Sequence, residues 1–266
     1  MREALALMRA QWLTIASYRL QMLFSIAGLL VSVVPIYFVS HALQPMMATS
    51  IKNQGEEYFA FVVIGLIAYA FISTATGALH ASFSSDIGNG SLEAVLATPV
   101  SMPALLLGML GQAFSWTALR TCMLLVGASA LGAHIVWSHA LVAAVVLALT
   151  TLAYVPLGIV AAALVLAFRT TGPFPTAVTA ASMLLGGVYY PTSAIPSWLA
   201  LASKAVPLTY GLRALRRTFI DGAPLSAVAG DLAVLCGFAI VLFAVGLTAF
   251  SMAWTYARRA GTLAQY

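Results

Sequence analysis

Few residues in this chain are able to do chemistry, and their spacing restricts what that chemistry is. Of 266 residues, only 7% are Asp, Glu, Lys or Arg. Arg120 stands inside a long apolar run, where an unpaired charge is expensive. Asp231, Glu56 and Glu57 are its candidate partners, giving a structural ion pair; the other reading is that Arg120 contacts a bound molecule. Gln112, Ser115, Thr117 and Thr121 lie close to it in sequence and suit either a wet path or a helix contact. Arg213, Arg216 and Arg217 recur at helical i, i+3 and i+4 positions. Lipid phosphates, an anionic part of a bound molecule, or Asp221 and water are the partners open to them.

Catalytic and metal chemistry find no support. His41, His80, His134 and His139 all fall near the ends of apolar runs and read as interfacial histidines. His134 and His139 with Ser129 lack an accompanying acid or nucleophile elbow, and HExxH is absent. Cys122 and Cys236 sit far apart in apolar runs, which suggests neither a disulfide framework nor a metal site. A phosphate-binding loop needs lysine directly after glycine, yet Lys52 follows Ile51 and Lys204 follows Ser203. Nucleotide binding through such a loop is therefore not expected on this chain, and no cofactor is expected on it.

The elements that position these residues are apolar and long. Hydrophobic residues make up 62% of the chain, a composition that cannot cover a water-facing surface. The solvent must be mostly lipid. Spans of roughly 20 apolar residues are expected at 20–43, 58–79, 104–131, 141–168, 174–190 and 232–256. The fifth is short and rich in small and hydroxyl residues. The runs are continuous where barrel strands would alternate, so the fold class is an all-α membrane protein. The first run is too long for a signal-peptide core and is kept in the mature protein. Neither an internal repeat nor a linker divides the chain, so 1–266 reads as one transmembrane domain. Before the first span, Leu5, Met8, Trp12 and Ile15 recur at helical spacing among Arg2, Arg9 and Arg19. This predicts an interfacial helix over 1–19, with an extension of the first span as the alternative. The net charge of +5 reflects anchoring at the cytoplasmic face, not nucleic-acid binding. Arg2, Arg9 and Arg19 against Lys52 place the N-terminus in the cytoplasm, and six spans return Arg258 and Arg259 to that side. Lys204, Arg213, Arg216 and Arg217 then lie outside, so charge alone leaves the second half undecided.

One stretch between spans two and three departs from this pattern. "GNGSLEAVLATPVSMP" (88–103) carries a turn, helix caps, an acid and two prolines. Asn89, Gly90 or Ser91 can cap a helix, and Glu93 complements its dipole. Pro99 disfavours helix at Thr98, leaving about two turns, roughly 10 Å. Leu92, Val95 and Leu96 form an apolar stripe with nothing in its own loop to bury against. A docking surface and a helix resting on lipid headgroups fit the stripe equally. "GSLEAVLATPVS" resembles the cytoplasmic coupling segment of ABC-2 type transporter permeases. A second stretch, "GGVYYPTSAIPSWLALASKAVPLTYGLRALRR" (186–217), resembles the same family's segment after span five. Its marks are a Gly-rich span end, an aromatic-Pro step, a Pro-x-Trp-Leu helix, Pro-Leu-Thr-Tyr and a closing Leu-Arg.

The resemblance implies a division of labour. The permease forms the membrane path, and a separate nucleotide-binding subunit holds ATP-Mg and docks on the coupling segment. Ser91, Leu92, Glu93, Val95, Leu96, Thr98 and Pro99 are the expected ATPase-coupling residues. Gly186, Gly187, Tyr190, Pro191, Pro196, Trp198, Pro207, Tyr210 and Arg213 are the expected outer-gate residues. Pro191, Pro196 and Pro207 cut 191–230 into pieces too short to cross, which suits half-helices dipping into the outer leaflet with Tyr189, Tyr190, Trp198 and Tyr210 at headgroup level. Spans one to five would then occupy 20–190, and span six 231–257. Arg120, Thr176, Thr179 and Ser182 are candidate path-lining residues. Expected partners are two ATPase copies, a second permease in a homodimer, and the bilayer of a bacterial plasma membrane. The apolar spans favour export or efflux of a hydrophobic or amphipathic cargo: a drug, a lipid or a lipid-linked glycan. An ion-gradient-driven secondary transporter is disfavoured because no Asp or Glu lies mid-span. An accessory membrane subunit is the other alternative.

Overall fold

The computed structural model describes residues 19–51, 57–88, 102–168, 173–192 and 195–259. Among them the chain is all helical, without strands. The elements are α1 (Arg19–Ile51), α2 (Tyr58–Gly88), α3 (Met102–Ala130), a 3-10 turn (Trp137–His139), α4 (Ala140–Phe168), α5 (Phe174–Gly186), α6 (Ser197–Ser203), α7 (Pro207–Phe219) and α8 (Leu225–Arg259). The expected interfacial helix at 1–19 lies outside the described residues except for Arg19, the first residue of α1.

Among the described residues, three stretches are long and apolar enough to cross a membrane: Tyr58–Ser82, Trp137–Val165 and Leu225–Tyr256. α1 and α3, with 33 and 29 residues, have length to spare. α5 does not. It has 13 residues, roughly 20 Å at 1.5 Å per residue, against a hydrocarbon core of about 30 Å. The expectation of a fifth span reaching Tyr190 is corrected here, because the helix stops at Gly186. Gly187 follows it in the left-handed conformation, φ 79°, which glycine adopts without a Cβ clash. The last span also starts earlier than expected. α8 begins at Leu225, directly after Pro224, so Asp231 lies inside a helix and not ahead of one. The polar residues Ser226, Gly230 and Asp231 hide that first helical stretch from a hydropathy reading.

α4 is the central column, with α8 along one side and α2 along the other; α2 also meets α3 and α1. Ile64, Ala68, Ile72 and Ala75 recur at helical spacing on α2 and are buried, facing Ala143, Val146 and Tyr154 of α4 in one core. Small residues let the two backbones approach. A Cβ on Gly158 would lie 2.1 Å from the Ala75 carbonyl oxygen. By contrast, α8 keeps Ile240, Val241, Val245, Leu247 and Met252 exposed, an apolar face that suits lipid.

Bonds between remote segments define the two ends of the bundle. Glu57 accepts from the His134 amide (3.2 Å) and faces its imidazole (3.3 Å). The Val136 amide donates to the Phe219 carbonyl (2.7 Å), and the Tyr58 hydroxyl to the Tyr189 carbonyl (2.8 Å). The starts of α2, α4 and α8 therefore share one end with the C-termini of α3, α5 and α7. Gly88, where α2 finishes, is roughly 45 Å away along a 31-residue helix. Gly158→Ala is expected to force α2 and α4 apart and lower stability by about 1–3 kcal/mol. Gly230→Ala, with nothing within 4 Å of the new methyl, should be neutral or stabilising. Thermal unfolding in neutral detergent compares the two.

Candidate functional site

The segment bearing Ser91, Leu92, Glu93, Val95, Leu96, Thr98 and Pro99 lies outside the described residues. It joins Gly88 of α2 to Met102 of α3, at the end of the bundle opposite the Gly187–Tyr210 stretch.

That stretch is built around a helix end in an apolar setting. The last carbonyls of a helix have no intrahelical partner, and away from water each one left bare costs free energy. Side chains take them in turn. The Tyr190 hydroxyl donates to Leu184 O, and the Ser203 hydroxyl to Leu185 O at 2.7 Å. Arg216 donates from Nη2 to Gly187 O (2.9 Å) and Val188 O (3.1 Å), with Phe61 O at 3.4 Å. Tyr58, at the head of α2, takes Tyr189 O. Five carbonyls within six residues are thus received by α2, α6, α7 and the turn itself. Pro191 is buried behind them.

Arg216 enters this site from α7. It is 2% exposed, and its guanidinium lies 3.3 Å from the Phe61 ring centroid, a cation–π geometry. The residues of α7 explain why. Leu208, Leu212, Leu215 and Phe219 form its buried stripe, and Arg216 stands one turn beyond Leu212 at the edge of that stripe. Arg213 and Arg217 point elsewhere. The three arginines therefore do not share one solvated face, and of the partners open to them Asp221 lies near Arg217. Arg213 pairs with buried Asp231 of α8, with Nε at 3.0 Å from Oδ1. Asp221, in the following turn, is held above the usual carboxylate range by partial burial, and the charge of Arg217 opposes that rise.

The remaining residues of this stretch frame the turn. Pro196 precedes α6 in an extended conformation, and Pro207 opens α7 at a position where its missing amide is harmless. Trp198 is 74% exposed, and Tyr210 donates to Lys204 O (3.1 Å) with its ring under Arg213. Gly186 packs against the Leu208 side chain.

The candidate path-lining residues are not brought together. Thr179 bonds back to Pro175 O (3.0 Å), and Ser182 accepts from the buried Tyr154 hydroxyl (2.8 Å), so both knit α5 to itself and to α4. Thr176 is exposed. Arg120 lies instead between α2 and α3. Neither Asp231 nor Glu57 reaches it, because the first is held by Arg213 and the second by His134. Glu56 falls outside the described residues. A larger apolar cleft of about 760 Å³ opens between α4 and α8 at their far ends, beside Leu164, Phe168, Met252 and Tyr256. Sequence reasoning missed the roles of Arg216 and Tyr58. The register of Arg216 against Leu212 was the available signal for the first; Tyr58 gave none.

Arg216→Met keeps the bulk but strips two carbonyls of their donor, at about 1–3 kcal/mol each. Thermal stability should fall by that order, and proteolysis should become faster within 187–206. Arg217→Gln is the reference, and equal behaviour of the two would remove the clamp.

Comparison with known proteins agrees with this architecture. A family model described as ABC-2 type transporter matches residues 2–220. Nodulation protein J of Rhizobium leguminosarum bv. trifolii is 29% identical over 190 residues, covering 71% of this chain and 72% of its own. Nodulation protein J of Sinorhizobium fredii (strain NBRC 101917 / NGR234) is 29% identical over 200 residues, covering 74% and 75%. That of Rhizobium meliloti (strain 1021) is 27% identical over 193 residues, covering 72% and 73%. With the match running from Arg2 through the end of α7, the chain belongs to the ABC-2 type transporter family.

Proposed function

We propose that this chain is the permease subunit of an ATP-driven exporter. It crosses a bacterial plasma membrane six times with both termini in the cytoplasm, the 13-residue α5 and the turn after it together making the fifth crossing. The single observation that carries this reading is the separation of two segments. Residues 89–101 follow the Gly88 end of α2, while the carbonyl-clamped turn at 187–191 is bound to the other end. A membrane path driven from one side and gated at the other needs that arrangement. Permeases of this family normally pair with an ABC ATPase, and neither lysine of this chain follows a glycine as a phosphate-binding loop requires. ATP-Mg then belongs to the partner.

In this reading the short α5 and the turn after it close the path from outside, and 191–224, ending where α8 begins, forms the outer re-entrant segment. Residues 91–99 receive the ATPase. Two permease copies and two ATPase copies make the complete exporter, and 1–19 lies along the cytoplasmic interface. The exposed apolar face of α8 and the cleft beside Phe168 and Met252 favour a hydrophobic or amphipathic cargo: a drug, a lipid or a lipid-linked glycan.

Two measurements test the reading. With Cys122 and Cys236 replaced by serine, single cysteines at Asp221 and Thr262 should label from opposite sides with an impermeant thiol reagent. Labelling of both from one side would remove the six-span frame. Leu96→Asp would place a charge in the ATPase contact, where desolvation costs several kcal/mol. Membrane yield should stay normal while ATPase pull-down and export fall together, by about tenfold or more. Glu93→Gln removes a dipole contribution of under about 1 kcal/mol and should leave folding unchanged. Full binding and transport by Leu96→Asp would remove 91–99 as the coupling element.

A further inference from the structure

The polar cavity around Arg120 has a composition that neither helix packing nor snorkelling explains. It holds about 340 Å³ between α2 and α3 and is lined by Tyr69, Ser73, Thr74, Thr117, Arg120 and Thr121, with apolar walls at Ile67 and Leu124. Its depth is fixed by sequence position. Tyr69 and Ser73 fall midway along the apolar stretch Tyr58–Ser82, and Arg120 is about 15 Å from the α3 end at Ala130. That is too deep for the side chain to reach water at either end without crossing apolar surroundings.

The hydrogen bonds within the cavity divide its polar groups into two sets. Thr74 and Thr117 bond each other at 2.8 Å and reach the carbonyls of Ala70 and Ala113 at 3.0 Å. Their hydroxyl protons are spent. Among the described residues, the Tyr69, Ser73 and Thr121 hydroxyls donate no hydrogen bond, and Arg120 makes no ion pair. As a residue Arg120 is exposed, and its guanidinium lies 5.1 Å from the centroid of the Trp116 ring, which orients it without neutralising it. A fixed cation and three unused hydroxyl donors therefore converge on one space with no acid in its lining. Water would hydrate the hydroxyls but leave the charge uncompensated, and a cation would be repelled. A group with several anionic oxygens answers both needs, because charge-assisted bonds to guanidinium are roughly twice as strong as neutral ones.

The geometry points to an anion site here, taking the phosphate-type headgroup of an amphiphile whose chain lies along the Ile67 and Leu124 walls. The site itself stands on the cavity alone. Whether the amphiphile is cargo rests on the exporter reading.

The test uses the full chain in neutral detergent, with oleoyl lysophosphatidic acid as the probe and monoolein as the uncharged comparison. Saturable binding of the acid is expected. Arg120→Gln should raise its Kd about tenfold or more, and Arg120→Lys less. Ser73→Ala combined with Thr121→Val should raise it a few-fold, and Arg217→Gln should leave it unchanged. Equal binding by wild type and Arg120→Gln, or binding of monoolein as tight as that of the acid, overturns the site. A second arm places the permease with its ATPase in phosphatidylcholine vesicles and follows ATP-driven movement of the same probe. Movement lost together with binding in Arg120→Gln supports the site and makes the anion the cargo's. Movement kept while binding is lost supports the site and makes the anion a bilayer lipid's. Arg120-dependent binding with no ATP-driven movement in wild type supports the site and counts against the exporter reading alone.

Discussion

The guanidinium of Arg216 occupies a position on which one whole end of the helix bundle depends. A helix that ends among apolar side chains leaves its last peptide groups where nothing but protein can satisfy them. α5 is such a helix, and Arg216 supplies two of the bonds that make its early ending tolerable. Because Arg216 belongs to α7 and lies against Phe61 of α2, the same contact fixes three elements at once. Lysine would bring the charge without the planar fork, and a neutral side chain would bring neither the fork nor the ring contact.

The other polar contacts of that end extend the same arrangement. Tyr58, Tyr190 and Ser203 complete the set of carbonyl donors, while the Arg213–Asp231 pair ties α7 to α8. Glu57 and His134 link the segments before α2 and after α3, on the more exposed side. A chain with so few charges spends most of those described here on one end of the bundle. The core below it is built differently. There α2, α4 and α8 meet through alanine, glycine and β-branched residues, since lipid offers little hydrophobic drive between helices and close backbone contact must replace it.

The contrast between Arg216 and Arg120 separates structure from candidate function. Both are cations in an apolar environment. Arg216 is surrounded by carbonyl oxygens and an aromatic face, so its charge is used in holding the fold. Arg120 is presented to a cavity of donors, so its charge is available for something that the chain does not itself contain.

Much of this was decided by the residues themselves. A 62% hydrophobic chain with continuous apolar runs has no stable option in lipid other than helices that satisfy their own backbone. The positions of α2, α3 and α4 follow from those runs. The ABC-2 resemblance also lay in the linear order of the two motifs. What the linear order did not contain was which polar groups meet. Arg216 lies 29 residues from Gly187 and 155 from Phe61, and no local pattern encodes a bond over such distances. Asp231 stood as a partner for Arg120 until folding placed it beside Arg213, one short turn away through the start of α8. The length of α5 was misjudged for the same reason: Val188, Tyr189 and Tyr190 are apolar enough to continue a span, and only the donors waiting in tertiary structure let the chain turn there instead.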